Sequence, residues 1–175
     1  MQENKFDTLN LCSVSIISTT LPDLDIQDLI SKIYNLRDNF PSANRSNING
    51  YQTENNLNLL PDFFPLVKII NDLGIELLSN PNLQIVDLWG NLSLFGDYNM
   101  PHNHGHGYDK FSGVIYLKVP ENGGRIWFYN PLEFGMGVPY SPKEKEVLIF
   151  PKGVYHSVEP NLSQEDRISI AFNYG

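Results

Sequence analysis

Four histidines occur in the chain, and three of them fall within Pro101-His102-Asn103-His104-Gly105-His106. In extended backbone alternate side chains share a face, so His102 and His104 can turn both imidazoles toward one ion; His-x-His serves as a two-point metal clamp for this reason. His156, the fourth, sits in Phe150-Pro-Lys-Gly-Val-Tyr-His-Ser-Val, a hydrophobic strand followed by a Pro/Gly turn and a second strand. In an antiparallel barrel, strands this distant in sequence can lie side by side. A third ring nitrogen would then face the clamp while other coordination positions stay open, and an open site implies catalysis.

Arg167 lies in Asp166-Arg-Ile-Ser-Ile-Ala-Phe-Asn, which alternates as a strand does, with Arg167, Ser169 and Ala171 on one face and Ile168, Ile170 and Phe172 on the other. A guanidinium and a hydroxyl two residues apart form a fork suited to a carboxylate. Each of these residues also has a bland reading. His-x-His can be an exposed polar loop, His156 a core histidine with a satisfied ring, and Arg167 a solvated surface arginine. The order of all of them within one short chain favours a site.

Cys12 is the sole cysteine, so no intrachain disulfide or cysteine-rich knuckle is available, and a metal site must be built from His and carboxylates. A formal charge of -8 and a pI near 4.8 oppose a phosphate backbone, and no run of Lys or Arg offsets them. Nucleic acid and membrane are therefore not expected as partners; a small-molecule or peptide substrate is, bound by a monomer or homodimer. No apolar stretch approaches the length of a membrane span, and Met1-Gln-Glu-Asn-Lys-Phe-Asp lacks the profile of a signal peptide, which predicts a soluble, cytoplasmic protein. The length of 175 residues predicts one domain spanning 1–175.

Two helical segments precede the strands that must carry these residues. From Asp25 to Phe40, Ile26, Leu29, Ile30, Ile33 and Leu36 recur at helical spacing behind Asp23 or Asp25 as N-cap. From Pro61 to Leu78, Phe64, Val67, Ile70, Leu73 and Leu77 share one side, with Gly74 a candidate bend. The Asn-rich patch from Asn44 to Asn58 reads as a loop. Beyond residue 83, short β-branched and aromatic segments near 84–95, 110–119, 125–129, 146–150, 153–158 and 166–173 alternate with Gly, Pro and Asn turns. Asn122-Gly123-Gly124 suits a tight antiparallel hairpin. Helices first and many short strands afterwards predict a mainly β fold, a barrel or jelly roll with the helices packed on one face.

His-x-His, a distal His, and Arg-x-Ser shortly after it resemble the order of active-site residues in the Fe(II)- and 2-oxoglutarate-dependent dioxygenases. More narrowly, Leu88-Trp-Gly-Asn, Gly96-Asp-Tyr-Asn-Met-Pro-His-Asn-His and Phe111-Ser-Gly-Val-Ile-Tyr-Leu-Lys-Val-Pro resemble a family of small 2-oxoglutarate-Fe(II) oxygenases common in phages and bacteria. The resemblance continues through Gly124-Arg-Ile-Trp-Phe-Tyr-Asn-Pro, Val147-Leu-Ile-Phe-Pro, Tyr155-His-Ser-Val-Glu-Pro-Asn and Arg167-Ile-Ser-Ile-Ala-Phe-Asn, with a weaker motif in Asn49-Gly-Tyr-Gln-Thr. It implies a double-stranded β-helix, a cupin-like jelly roll, with iron at the open end of the barrel. By that resemblance His102 is the first iron ligand and His156 the distal one, while Arg167 and Ser169 hold the far carboxylate of 2-oxoglutarate. Tyr116 matches a position where related enzymes place a phenol near that carboxylate, and Asn99 becomes a candidate for orienting a ligand imidazole. The implied reaction couples conversion of 2-oxoglutarate to succinate and carbon dioxide with hydroxylation of a second substrate. Trp89, Trp127, Tyr129 and Tyr155 are candidates for the mouth of the site.

In one respect the chain departs from the superfamily, whose usual motif is His-x-Asp or His-x-Glu: the middle position carries His104. A neutral imidazole there leaves one more positive charge at the metal. His106 or Asp109 could replace His104 as a ligand. Two other functions follow from the same residues, a cupin-type tri-His oxidase that uses no 2-oxoglutarate, favoured by His104 and opposed by Arg167 and Ser169, and a non-enzymatic jelly-roll binding module.

Overall fold

A computed structural model of the protein describes residues 7–11, 14–105, 110–130 and 135–175. The strands are β1 (Asp7–Leu11), β2 (Val14–Thr20), β3 (Asn47–Ile48), β4 (Tyr51–Gln52), β5 (Ile85–Ser93), β6 (Tyr98–His102), β7 (Phe111–Lys118), β8 (Ile126–Tyr129), β9 (Gly137–Tyr140), β10 (Glu146–Pro151), β11 (His156–Val158) and β12 (Arg167–Tyr174). Helices α1 (Ile26–Asn39) and α2 (Phe64–Leu78) lie between β2 and β5. One sheet has the order β1-β2-β10-β7-β12-β5-β4 and the other β3-β6-β11-β8-β9, all their pairings antiparallel. From β5 onward the chain passes back and forth between them. β5, β7, β10 and β12 enter the first sheet, and β6, β8, β9 and β11 the second. Two four-stranded antiparallel sheets built by such crossing form the jelly-roll arrangement.

Alternation along the strands of the first sheet divides its two faces. Ile115, Leu117, Val147, Ile149, Ile168, Ile170 and Phe172 point outward into a core shared with Leu29 and Ile33 of α1 and with Leu66, Ile70 and Leu73 of α2. The helices therefore cover the outside of this sheet, as their apolar faces require. On the inside, Trp89, Val114, Tyr116, Leu148, Phe150 and Ala171 pack with Ile126 and Phe128 of the second sheet. Asp25 caps α1 by accepting a hydrogen bond from the Asp28 N–H at 3.1 Å.

Several local expectations change. Asn122-Gly123-Gly124 does form a tight turn, with φ of 60° at Asn122 and 89° at Gly124, but it carries the chain from β7 in one sheet to β8 in the other and closes no hairpin. The Asn-rich patch is not all loop. It contains β3 and β4, whose two-residue length hides any period and whose pairing is supplied by β6 and β5. β1, β2 and β9 add strands that the sequence pattern did not single out. The 84–95 segment ends as β5, and a separate strand, β6, runs to His102.

Candidate metal centre and adjoining pocket

Cross-strand pairing brings the histidines together. His102 ends β6 and lies opposite His156, the first residue of β11, with ring centroids 4.3 Å apart. His104 follows where the chain leaves β6, its backbone N–H held by Lys152 O at 3.1 Å. Its ring centroid is 5.3 Å from that of His102 and 4.9 Å from that of His156. One ligand nitrogen from each of the three falls within 4.8 Å of the others. His106 and Asp109, the alternatives for the middle position, lie outside the described residues.

Hydrogen bonds fix which nitrogen each ring offers. His102 Nδ1 lies 2.7 Å from Met100 O and His156 Nδ1 3.0 Å from Val154 O; a carbonyl only accepts, so both Nδ1 atoms carry the proton. His104 Nδ1 lies 2.9 Å from Asn173 Oδ1 and 2.9 Å from Ser112 Oγ. The Asn173 amide cannot be reversed, because its Nδ2 donates to Asp87 Oδ2 at 2.8 Å. His104 Nδ1 is thus also protonated, which leaves Nε2 of each ring as the unprotonated nitrogen; that of His102 faces the Ser46 hydroxyl at 3.3 Å, which a bound metal would displace. Burial holds the three imidazoles neutral, with further lowering of His104 and His156 by neighbouring histidines; His104 is pushed down to about 4. Three neutral, converging imidazoles suit a first-row divalent metal.

Next to the histidines a cavity opens between the sheets, lined by Trp89, Asn91, Tyr116, Phe150, Arg167 and Ser169. Arg167, Ser169 and Tyr116 share its wall, since Ser169 pairs with Tyr116 across β12 and β7. Arg167 is 5 % exposed. Its Nη1 donates to Gly123 O at 2.8 Å and Glu159 O at 3.3 Å, and Nη2 donates to Ser93 Oγ at 3.1 Å. Among the described residues no carboxylate lies within ion-pair distance of it, and Nε–H has no hydrogen-bond partner. Burial lowers its pKa, opposed by Tyr116 and Asp97, and burial raises that of the Tyr116 phenol, so that group stays a neutral donor. A buried cation without a counter-ion calls for an anion.

Asn99 reaches the histidines through Ser46: its Nδ2 donates to Ser46 Oγ at 3.3 Å, and that hydroxyl is 3.3 Å from His102 Nε2. Of the four aromatics expected at the mouth, Trp89 lines the cavity and stacks edge-on to His104 at 5.3 Å. Trp127 instead donates to Glu159 Oε1 at 2.7 Å, Tyr129 bonds Ser157 Oγ at 2.8 Å, and Tyr155 is 46 % exposed. Sequence reasoning missed Ser46, Asp87, Ser112 and Asn173. Asn173 had a signal, since it continues the face of Arg167, Ser169 and Ala171.

A family model described as "Putative 2OG-Fe(II) oxygenase" matches residues 130–173. No curated protein matches the sequence. Among solved structures, the chain is similar to the non-heme alpha ketoglutarate dependent epimerase SnoN from nogalamycin biosynthesis, with a TM-score of 0.75, 15 % identity, and 91 % of this chain and 77 % of that one covered. A Pseudomonas putida prolyl-4-hydroxylase gives a TM-score of 0.68 at 17 % identity over 94 % of both chains. HygX from Streptomyces hygroscopicus, solved with nickel and 2-oxoglutarate bound, gives 0.63 at 13 % identity over 90 % of this chain and 82 % of that one. Residues 130–173 thus match the 2OG-Fe(II) oxygenase family, and the chain as a whole has the fold of the solved 2-oxoglutarate-dependent oxygenases.

Proposed function

We propose that the protein is an Fe(II)- and 2-oxoglutarate-dependent dioxygenase that hydroxylates a small molecule or peptide. The observation that carries this reading is Arg167, a buried guanidinium without a carboxylate partner, on the wall of a cavity that begins at three converging imidazoles. His102, His104 and His156 would hold the iron through Nε2. Arg167 and Ser169 would receive the far carboxylate of 2-oxoglutarate, with the Tyr116 hydroxyl donating beside them. Iron(II) and 2-oxoglutarate, when bound, supply dioxygen activation. The chain's own residues hold and orient. Carbonyls at Met100 and Val154 and the amide of Asn173 keep the imidazoles in one tautomer, while Phe150 and Trp89 limit water in the cavity.

The whole chain, 1–175, is read as one catalytic domain acting in the cytoplasm of a bacterium or a phage-infected cell, as a monomer or homodimer. No helix among the described residues is long and apolar enough to cross a membrane. A tri-His oxidase without 2-oxoglutarate is the second reading, favoured by His104 standing where the superfamily has a carboxylate. Anaerobic titration separates the two: the leading reading expects 2-oxoglutarate to bind Fe(II)-loaded protein at millimolar concentration or below and, on admission of dioxygen, to yield succinate. Absence of 2-oxoglutarate binding to the Fe(II) form would overturn it.

A further inference from the structure

A second opening, a groove, adjoins the other side of the histidines, and Gln52, Asn55 and Trp89 line it together with His102 and His104. Gln52 is only 4 % exposed, yet its side-chain amide has no hydrogen-bond partner among the described residues. Its backbone is fully occupied, with N–H donating to Ser42 Oγ at 3.0 Å and the carbonyl accepting from Ala43 N at 2.8 Å. The side chain therefore has a fixed root and a free head. Register sets its direction: Gln52 pairs with Asn91 and Asn91 with Ser169, so all three share the inner face of the first sheet. Asn55, beside it, holds a buried Oδ1 that also lacks a partner. Buried polar groups are ordinarily satisfied; here a Gln52 head group open to the groove without a protein partner, beside the buried unpartnered Oδ1 of Asn55, points to a ligand that bonds the Gln52 amide.

We propose that this groove is the prime-substrate subsite and that Gln52 selects an amide, a peptide unit or carboxamide, as the group it grips; this rests on the dioxygenase reading above. A side-chain amide offers a donor and an acceptor in one plane, and a peptide unit or carboxamide offers the complementary pair. Carboxylates and phosphates only accept, so they would leave Gln52 Oε1 unsatisfied. On the rim, Arg45 and Lys152 share the groove with Asp87, so charge is mixed there and the buried position is neutral. Trp89 gives the bound amide a flat wall next to His104.

The test uses the Fe(II)- and 2-oxoglutarate-loaded protein without oxygen and a panel of N-acetyl amino-acid N-methylamides, each paired with its N-acetyl methyl ester, which lacks the terminal N–H donor. Binding is read by calorimetry or saturation-transfer NMR. At least one amide is expected to bind, and its ester and Gln52→Leu are each expected to weaken that binding by roughly tenfold or more, the scale of one hydrogen bond. In the Leu variant amide and ester should bind alike, and 2-oxoglutarate affinity should stay at the wild-type value. If Gln52→Leu also loses 2-oxoglutarate, Gln52→Met, of similar length with no donor and only a weak acceptor on the side chain, replaces it with the same expectation for the amide. No amide binding, or unchanged amide binding in the variant that keeps 2-oxoglutarate, overturns the subsite while leaving the dioxygenase reading intact. Failure of the wild type to take up 2-oxoglutarate overturns that reading, and this one with it.

Discussion

Asn173 Oδ1 accepts from His104 Nδ1 at 2.9 Å, and the same amide donates from Nδ2 to Asp87 Oδ2 at 2.8 Å. A carboxylate thus stands one residue behind the His104 imidazole. Ser112 Oγ, fully buried, donates to Asn173 Oδ1 at 2.7 Å and tightens the same node. Polarised along this chain, His104 Nε2 is a better electron donor than an isolated imidazole, which on the proposed reading strengthens its hold on a metal.

Breaking that node should therefore weaken the metal and leave the fold. Asn173→Ala is expected to lower Fe(II) or Co(II) affinity by about 10- to 100-fold, the usual range for partners behind a ligand. Asn173→Asp combined with Asp87→Asn, which keeps an acceptor for Nδ1 and reverses the donor and acceptor of the pair behind it, should recover most of it. Anaerobic metal titration monitored by Co(II) absorption reads both; equal affinity in Asn173→Ala and wild type would remove Asn173 from the positioning role.

On the proposed reading, Arg167 is the residue whose loss separates cosubstrate from metal. Loss of a shielded, charge-assisted contact costs on the order of 2 to 4 kcal/mol, or roughly thirtyfold to a thousandfold in affinity. Arg167→Ala should lose 2-oxoglutarate to that extent and keep Fe(II). His156→Ala should lose the metal first and the cosubstrate as a consequence. Calorimetric titration of each variant, without oxygen, distinguishes the two patterns, and parallel loss of both ligands in Arg167→Ala would mean that the arginine is structural.

The site was more legible than the sheets. Alternation alone put Arg167, Ser169 and Ala171 on one face and Ile168, Ile170 and Phe172 on the other, because β12 is long and paired on both sides. The clamp was readable in part, since β6 is extended up to His102, while His104 lies past the strand end and is placed by its N–H bond to Lys152 O. What stayed hidden lies where local sequence does not decide. β3 and β4 exist only because longer strands pair with them, the Asn122 turn joins two sheets rather than two neighbours, and Gln52, Asp87 and Ser46 reach the site only through tertiary placement. Nothing local marks a residue whose role comes from its cross-strand partner.

Glu159 ties the end of β11 to β8 close to Arg167. Arg125 donates to it from Nε and Nη2, and Trp127 from Nε1, and together they hold the carboxyl at about 2, below its ordinary 4.5, against an opposing effect of burial. A carboxylate with a depressed folded-state pKa contributes stability that is present above about 4.5 and is lost as pH falls toward 2. Glu159→Gln should thus be less stable than wild type at neutral pH, by a small amount because the pair is solvent-screened, with the gap closing between pH 4.5 and 2. Urea midpoints across that range test it; a gap that persists at the acid end would assign the effect to packing.

Gly74 was a candidate bend, but α2 runs unbroken through it, and the contact with Tyr174 is what requires the glycine. A Cβ there would sit 2.6 Å from Tyr174 Cζ and 2.6 Å from its Oη. Tyr174 cannot easily withdraw, since it is fully buried and its hydroxyl donates to Ile70 O at 2.6 Å. Overpacking of this kind costs about 1 to 3 kcal/mol, and alanine's better helix propensity returns about 1 kcal/mol or less. Gly74→Ala is thus expected to be destabilised by up to about 2 kcal/mol in urea unfolding. Because Tyr174 follows Asn173 on β12, the same substitution should loosen the His104 node, and metal affinity should fall with stability. Gly74→Ala as stable as wild type would show that α2 can shift outward, and unchanged metal affinity in a destabilised variant would show that β12 holds Asn173 without help from the helix.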